Sequence, residues 1–101
     1  MNYHYHYNDI IKETFSSTSV IYGNMWLYFI RTAKDVIAEC KKKGIKVVSL
    51  EAFMLTGKGI QPSQEHSITF HGNDGNWDKA EEFLSNIKDL AYLYEIWYEG
   101  Y

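Results

Sequence analysis

The residues with which this chain could do acid–base chemistry are His66 and His71, with Glu51, Glu65 and Asp74 nearby in the sequence, and Cys40 is its one thiol. The pair Glu65-His66, and His71 with Asp74, flank a predicted strand and the turn after it. They form an acid–base site only if folding draws those two ends together; apart, they are solvated or locally satisfied polar groups. Cys40 falls on the apolar face of a predicted helix. That is the setting of a small core residue rather than of an accessible thiolate flanked by positive charge, and helical geometry sends most of Lys41, Lys42 and Lys43 towards solvent. His4 and His6 share one side of an alternating Tyr/His start. Two histidines without further nearby ligands fall short of a zinc site, so no metal and no cofactor is expected. The stretch Thr56-Gly57-Lys58-Gly59 lacks the spacing of a Walker loop and opens no helix, so it reads as a hairpin turn.

Recognition is the better-supported chemistry. Tyr92 to Tyr101 reads YLYEIWYEGY, with four tyrosines, one tryptophan and two glutamates. Tyrosine and tryptophan bring large contact area at low rotamer entropy, and carboxylates beside them orient a basic partner. In a strand, Tyr92, Tyr94, Ile96 and Tyr98 share one side and Leu93, Glu95, Trp97 and Glu99 the other. The first set suits the underside of helices, which would leave Trp97 between two carboxylates on the open face; the opposite assignment also stands. The candidate partner-binding residues are Trp97, Glu95, Glu99, Glu51, Glu65 and Asp74.

The elements that must position these groups follow from periodicity. Met25, Tyr28, Phe29, Thr32, Ala33, Val36, Ile37 and Cys40 recur at helical three-and-four spacing, with Gly23 and Asn24 as start and cap and Gly44 as stop. An earlier short helix is expected after Asn8 and Asp9, followed by the connector Ser16 to Ser19. IKVVSLEAFML reads as a strand, straight or bent near Glu51 and Ala52. A short extended piece at Ile60, limited by Pro62, and a strand through Ile68 and Phe70 come next. Asn76 or Asp74 can cap a helix whose face is Trp77, Ala80, Leu84, Ile87 and Ala91, and the terminal strand completes the order. The expected fold is α+β: a two-layer single domain with two main helices on one face of a small mixed or antiparallel sheet.

A length of 101 residues fits one domain, residues 1–101, with 1–20 as a flexible or loosely packed arm. Hydrophobic residues make up 46%, charged residues 23% and aromatics 17%, which is globular composition with an aromatic excess. The net charge of −3 argues against direct nucleic-acid binding and favours a basic protein partner. A single cysteine permits no internal disulfide and fits a reducing, cytoplasmic setting. The start MNYHYHYNDII lacks a signal peptide's basic and apolar regions, and no apolar run approaches the roughly 18 residues of a membrane span.

With its LEAFML strand, Gly-Ile-Gln-Pro turn, SITF strand, Trp-containing helix and YEIWYE segment, the chain resembles small immunity proteins of bacterial polymorphic-toxin systems, over residues 24–99 in layout. The resemblance implies an acidic, cytoplasmic, non-enzymatic inhibitor that binds a cognate toxin domain, often a nuclease, and occludes its active site. Two readings stand beside it: a small enzyme or ligand-binding domain using His66, His71 and nearby acids, and a self-associating structural subunit.

Overall fold

The computed structural model describes residues 9–99 and shows an α+β domain built on one antiparallel five-stranded sheet. The order is α1 (Asp9–Thr14), a 3-10 turn (Ser16–Thr18), β1 (Val20–Tyr22), β2 (Met25–Phe29), α2 (Ile30–Lys43), β3 (Val47–Thr56), β4 (Gly59–Thr69), α3 (Trp77–Ser85) and β5 (Leu93–Tyr98). The strands lie in the order β1-β2-β5-β3-β4.

The long helix is shorter at its N-terminal end than its periodicity predicts. Met25, Tyr28 and Phe29 belong to β2, and Gly23-Asn24 is the two-residue turn of the β1–β2 hairpin, in which Tyr22 opposes Met25. The reason is burial on both faces: Leu27 and Tyr28 are adjacent in sequence, on opposite sides of the strand, and both buried. An apolar run of that kind is ambiguous between strand and helix until its partners are known. From Ile30 the helix follows expectation. Ile30, Ala33, Val36, Ile37 and Cys40 are buried, and Gly44, left-handed at φ 71°, ends the helix with its N–H on the Cys40 and Lys41 carbonyls.

Residues 9–20 are not a loose arm. Ile11 is fully buried in the main core, and the Phe15 ring meets Tyr28 edge-on at 6.4 Å. The expected alternation of Tyr3 to Tyr7, with His4 and His6, lies outside the described residues.

The strand expected in two pieces between Ile60 and Phe70 is one edge strand, β4, and Pro62 sits within it opposite Phe53. An edge position tolerates proline because the missing donor need not serve a second neighbour. The register jumps from Ala52 opposite Ser63 to Leu50 opposite Ile68, so residues 64–67 bulge against Glu51 alone. Of the two courses left open for the preceding strand, β3 runs straight through from Val47 to Thr56, and the irregularity beside Glu51 is in β4.

Helix α3 ends at Ser85, so Ala91 lies in a turn rather than on its face. Asn76 precedes the helix without capping it through its side chain. Instead its backbone N–H donates to Asp74 Oδ1 at 2.7 Å, and its Nδ2 donates to the Val47 carbonyl at 2.9 Å, pinning α3 to β3. Trp77 adds a bond from Nε1 to the Ile45 carbonyl at 2.7 Å. Only glycine fits at 75, because a Cβ there would stand 2.0 Å from the Trp77 ring.

The core places Tyr94, Ile96 and Tyr98 of β5 with Ala33, Val36 and Ile37 of α2 and Ala80 and Leu84 of α3. The alternation predicted for the terminal strand therefore holds for its inward set. The opposite face is not open along its centre, however. Leu27, Leu93 and Glu95 are buried there as well. The sheet curls towards that face: Tyr22 lies on one edge, yet its hydroxyl is 3.0 Å from where a Cβ on Gly59, at the other edge, would stand. Among the described residues no helix is long and apolar enough to cross a membrane.

Candidate functional site

The bulge opens a cavity of about 270 Å³ between β3 and β4, lined among others by Glu51, Phe53, Pro62, Ser63, Ser67 and Thr69. Its shape has a local cause. Where four residues face one, the ladder cannot close, and Ser67 replaces the missing backbone partner by accepting the Ala52 N–H at 2.8 Å while donating to the Ser63 carbonyl at 2.6 Å. The bulge is anchored from behind by β5 and the residue before it. The His66 ring stacks on Tyr92 at 4.1 Å, and the Tyr94 hydroxyl donates to the His66 carbonyl at 2.9 Å. Ser63 Oγ and His66 Nδ1 share a further bond of 2.8 Å.

Glu51 is half-buried in this cavity, and among the described residues no cation pairs with it. Glu65, on the bulge itself, is exposed and likewise lacks an ion pair. Glu51 is the one charged residue among those lining the cavity, so the arrangement suits an incoming cation. Phe53 and Pro62, opposed across the two strands, give that cation an apolar wall, and the serine and threonine hydroxyls supply acceptors.

The other acids expected at the site are distributed elsewhere. Glu95 lies on the same face as Glu51 but is only 3% exposed, and its Oε1 accepts the Trp97 indole N–H at 3.1 Å. It therefore does not project to solvent beside Trp97, as the alternation alone had suggested, and Trp97 is itself half-buried. Burial of the sheet's second face is the cause. Glu99 is tied to Lys46 at 3.4 Å, and Asp74, although exposed, accepts the Asn76 N–H. The six predicted residues thus do not form one patch; Glu51 lines the cavity, and Glu65 lies on the bulge outside that lining.

His66 and His71 are also placed apart. His71 is exposed and borders a separate cavity of about 310 Å³ with Lys46, Phe70 and Glu99, whereas His66 is held in the bulge. Cys40 is fully buried, and its thiol is pushed up to about 12, first by burial and then by the neighbouring Glu39 charge, away from any thiolate role. Among the described residues no group of three or more His, Cys, Asp or Glu side chains could hold a metal ion.

Sequence reasoning named Glu51 and Glu65 but missed Phe53, Pro62, Ser63, Ser67 and Thr69. A signal was present: the polar run Ser63-Gln64-Glu65-His66-Ser67 follows a proline and interrupts an otherwise strand-like stretch, which is how an edge bulge reads. Comparison of the sequence with models of known protein families matches none, and a search of curated protein sequences finds no significant relative.

Proposed function

We propose that the chain is a non-enzymatic protein-binding module, an immunity-type inhibitor that recognises a basic surface on a toxin domain and blocks it by steric and electrostatic occlusion. The observation that carries this reading is the Glu51 cavity. A half-buried carboxylate without a cation stands beside an aromatic wall and hydroxyl acceptors, in a space suited to one partner side chain. A lysine or arginine from the partner fills it, with Glu65 strengthening the local field. Glu95 supports the site from beneath the surface, and Trp97 holds it through the indole bond. The helices, packed as one layer on the inward side of the sheet, serve as scaffold. A reducing cytoplasmic setting suits the single buried thiol.

The test is titration of the purified chain with the basic toxin domain encoded beside it, measured by calorimetry and by inhibition of the toxin. Glu51→Gln is expected to lower affinity at least about tenfold, consistent with loss of a charge-assisted bond in a desolvated contact. Absence of any complex, or equal affinity of the variant, refutes the reading.

A second reading, a small enzyme or ligand-binding domain, draws on the Ser63–His66 contact of 2.8 Å at the cavity wall. Changing His66 and His71 together to Ala separates the two: an enzyme loses activity, whereas a binding module keeps its partner.

A further inference from the structure

The loop between β4 and α3 carries a chemistry that needs no ligand. Asp74 is followed by Gly75, and it is the chain's one Asp or Asn with a glycine after it. A glycine there leaves the peptide nitrogen open to the preceding carboxyl, because no side chain shields it. The fold demands that glycine, since a Cβ at 75 would run into the Trp77 ring. The residue that lets Trp77 tie α3 to the Ile45 carbonyl is therefore the one that strips protection from Asp74.

The local geometry sets the two reacting groups side by side. Asp74 Oδ1 accepts the Asn76 N–H at 2.7 Å, which folds the carboxyl forward along the chain, over the Gly75 peptide that lies between them. The same bond draws electron density from the carboxyl carbon. The peptide joining Asp74 to Gly75 is otherwise unheld: among the described residues neither the Asp74 carbonyl nor the Gly75 N–H takes part in a hydrogen bond. Asp74 is exposed, so water reaches it. Immediately beyond, the chain is clamped, with the Val47 N–H donating to the Gly75 carbonyl at 3.0 Å and Asn76 Nδ2 to the Val47 carbonyl at 2.9 Å.

We propose that Asp74 is a site of spontaneous isoaspartate formation in the folded chain, and that its conversion loosens the docking of α3. The Gly75 nitrogen attacks Asp74 Cγ and gives up its proton. One carboxyl oxygen leaves as water, carrying that proton and one from solvent, and a five-membered imide closes. Water then adds to the ring carbonyl next to Cα, after which the chain runs through the β-carboxyl. One water is released and one taken up, so the mass is unchanged. The main chain gains one carbon just ahead of the clamp, and the Asn76 N–H loses its carboxylate acceptor.

The experiment is prolonged ageing of the purified full chain at neutral pH, in buffer and in parallel in unfolding urea. Peptide mapping that separates isomers of equal mass, and labelling by an isoaspartate-specific methyltransferase, read the outcome. Isoaspartate should accumulate at Asp74 and at no other aspartate, and at least as fast in the native chain as in urea. Asp74→Glu should stop it, because a six-membered imide closes far more slowly; Asp74→Asn should speed it, because ammonia leaves more readily than water. The aged form should melt lower by roughly 4–8 °C, the shift that loss of one hydrogen bond gives a domain of this size. No isoaspartate at 74, slower conversion in the native chain than in urea, or an aged form that melts with the fresh chain overturns the proposal.

Discussion

Glu51 stands directly across the β3–β5 ladder from Glu95, so two carboxylates share one rung of the sheet on the face away from α2 and α3. Like charges directly opposed in a sheet oppose folding, and one of these two is buried. Glu95 is held by the Trp97 indole, and the half-buried Glu51 is the member of the pair that an outside group can reach. On the proposed reading, the rung links what the domain loses in stability to what it gains in binding.

Neutralising the more accessible member should make the domain more stable and a poorer binder. Glu51→Gln is expected to raise the free energy of unfolding by roughly 0.2–1 kcal/mol, with the gain shrinking in high salt. Denaturant midpoints at low and high ionic strength check this, and a midpoint below that of the unmodified chain would show that the rung carries no repulsion.

Strongly alkaline solution should unfold the domain in a defined window. Burial, reinforced by Cys40 nearby for Tyr28 and by Tyr92 for Tyr94, pushes both phenols from 10.0 to about 12, while burial among Cys40 and Tyr28 raises Tyr98 as well. The folded chain holds these protons more tightly than the unfolded chain does. The stability they contribute is complete below pH 10 and falls as pH rises from 10 towards 12. Circular dichroism and phenolate absorbance should change together over that window; ionisation of all the tyrosines with ellipticity intact would contradict it.

Asn76 should be among the least replaceable residues outside the apolar core. It holds a left-handed conformation at φ 64° and binds the Val47 carbonyl while almost fully buried. Asn76→Ala adds backbone strain to an unpaired carbonyl and is expected to cost roughly 2–4 kcal/mol. Asn76→Gly removes the strain and should lose about 1–2 kcal/mol less. Equal losses in thermal or denaturant unfolding would mean that the backbone angle contributes nothing.

Cys40 should report on unfolding rather than on chemistry. With its thiol fully buried and raised to about 12, reaction with an aromatic disulfide reagent at neutral pH should be limited by opening of the structure. The rate should therefore climb with denaturant in step with the loss of ellipticity, and rapid labelling of the native chain would count against the buried assignment.

Much of the scaffold was legible in the residue pattern. Ala33, Val36, Ile37 and Cys40 marked the helical face, Gly44 its end, and Tyr94 with Ile96 the inward side of the terminal strand. Met25 to Phe29 misled because a strand buried on both sides shows apolar residues at helical spacing by coincidence. The candidate site was half-legible for a different reason. Residue type pointed to Glu51, but whether an acid faces solvent, a cavity or the interior depends on sheet curvature and on which strands are neighbours, so Glu95 looked as available as Glu51 and is not. The pairing of β3 with β5 leaves no local trace in either strand, whereas the bulge of the β3–β4 hairpin left one in the polar run after Pro62.

The strand order has a consequence for how the domain comes into being on the ribosome. β5, made after all the other strands, is the one that joins β2 to β3 at the middle of the sheet. Until it emerges, the two hairpins β1–β2 and β3–β4 have no shared neighbour, and each presents an unfilled edge to the crowded surroundings. Closure of the sheet therefore waits for Leu93 to Tyr98 to slot between the two hairpins, whatever the order in which the hairpins themselves form.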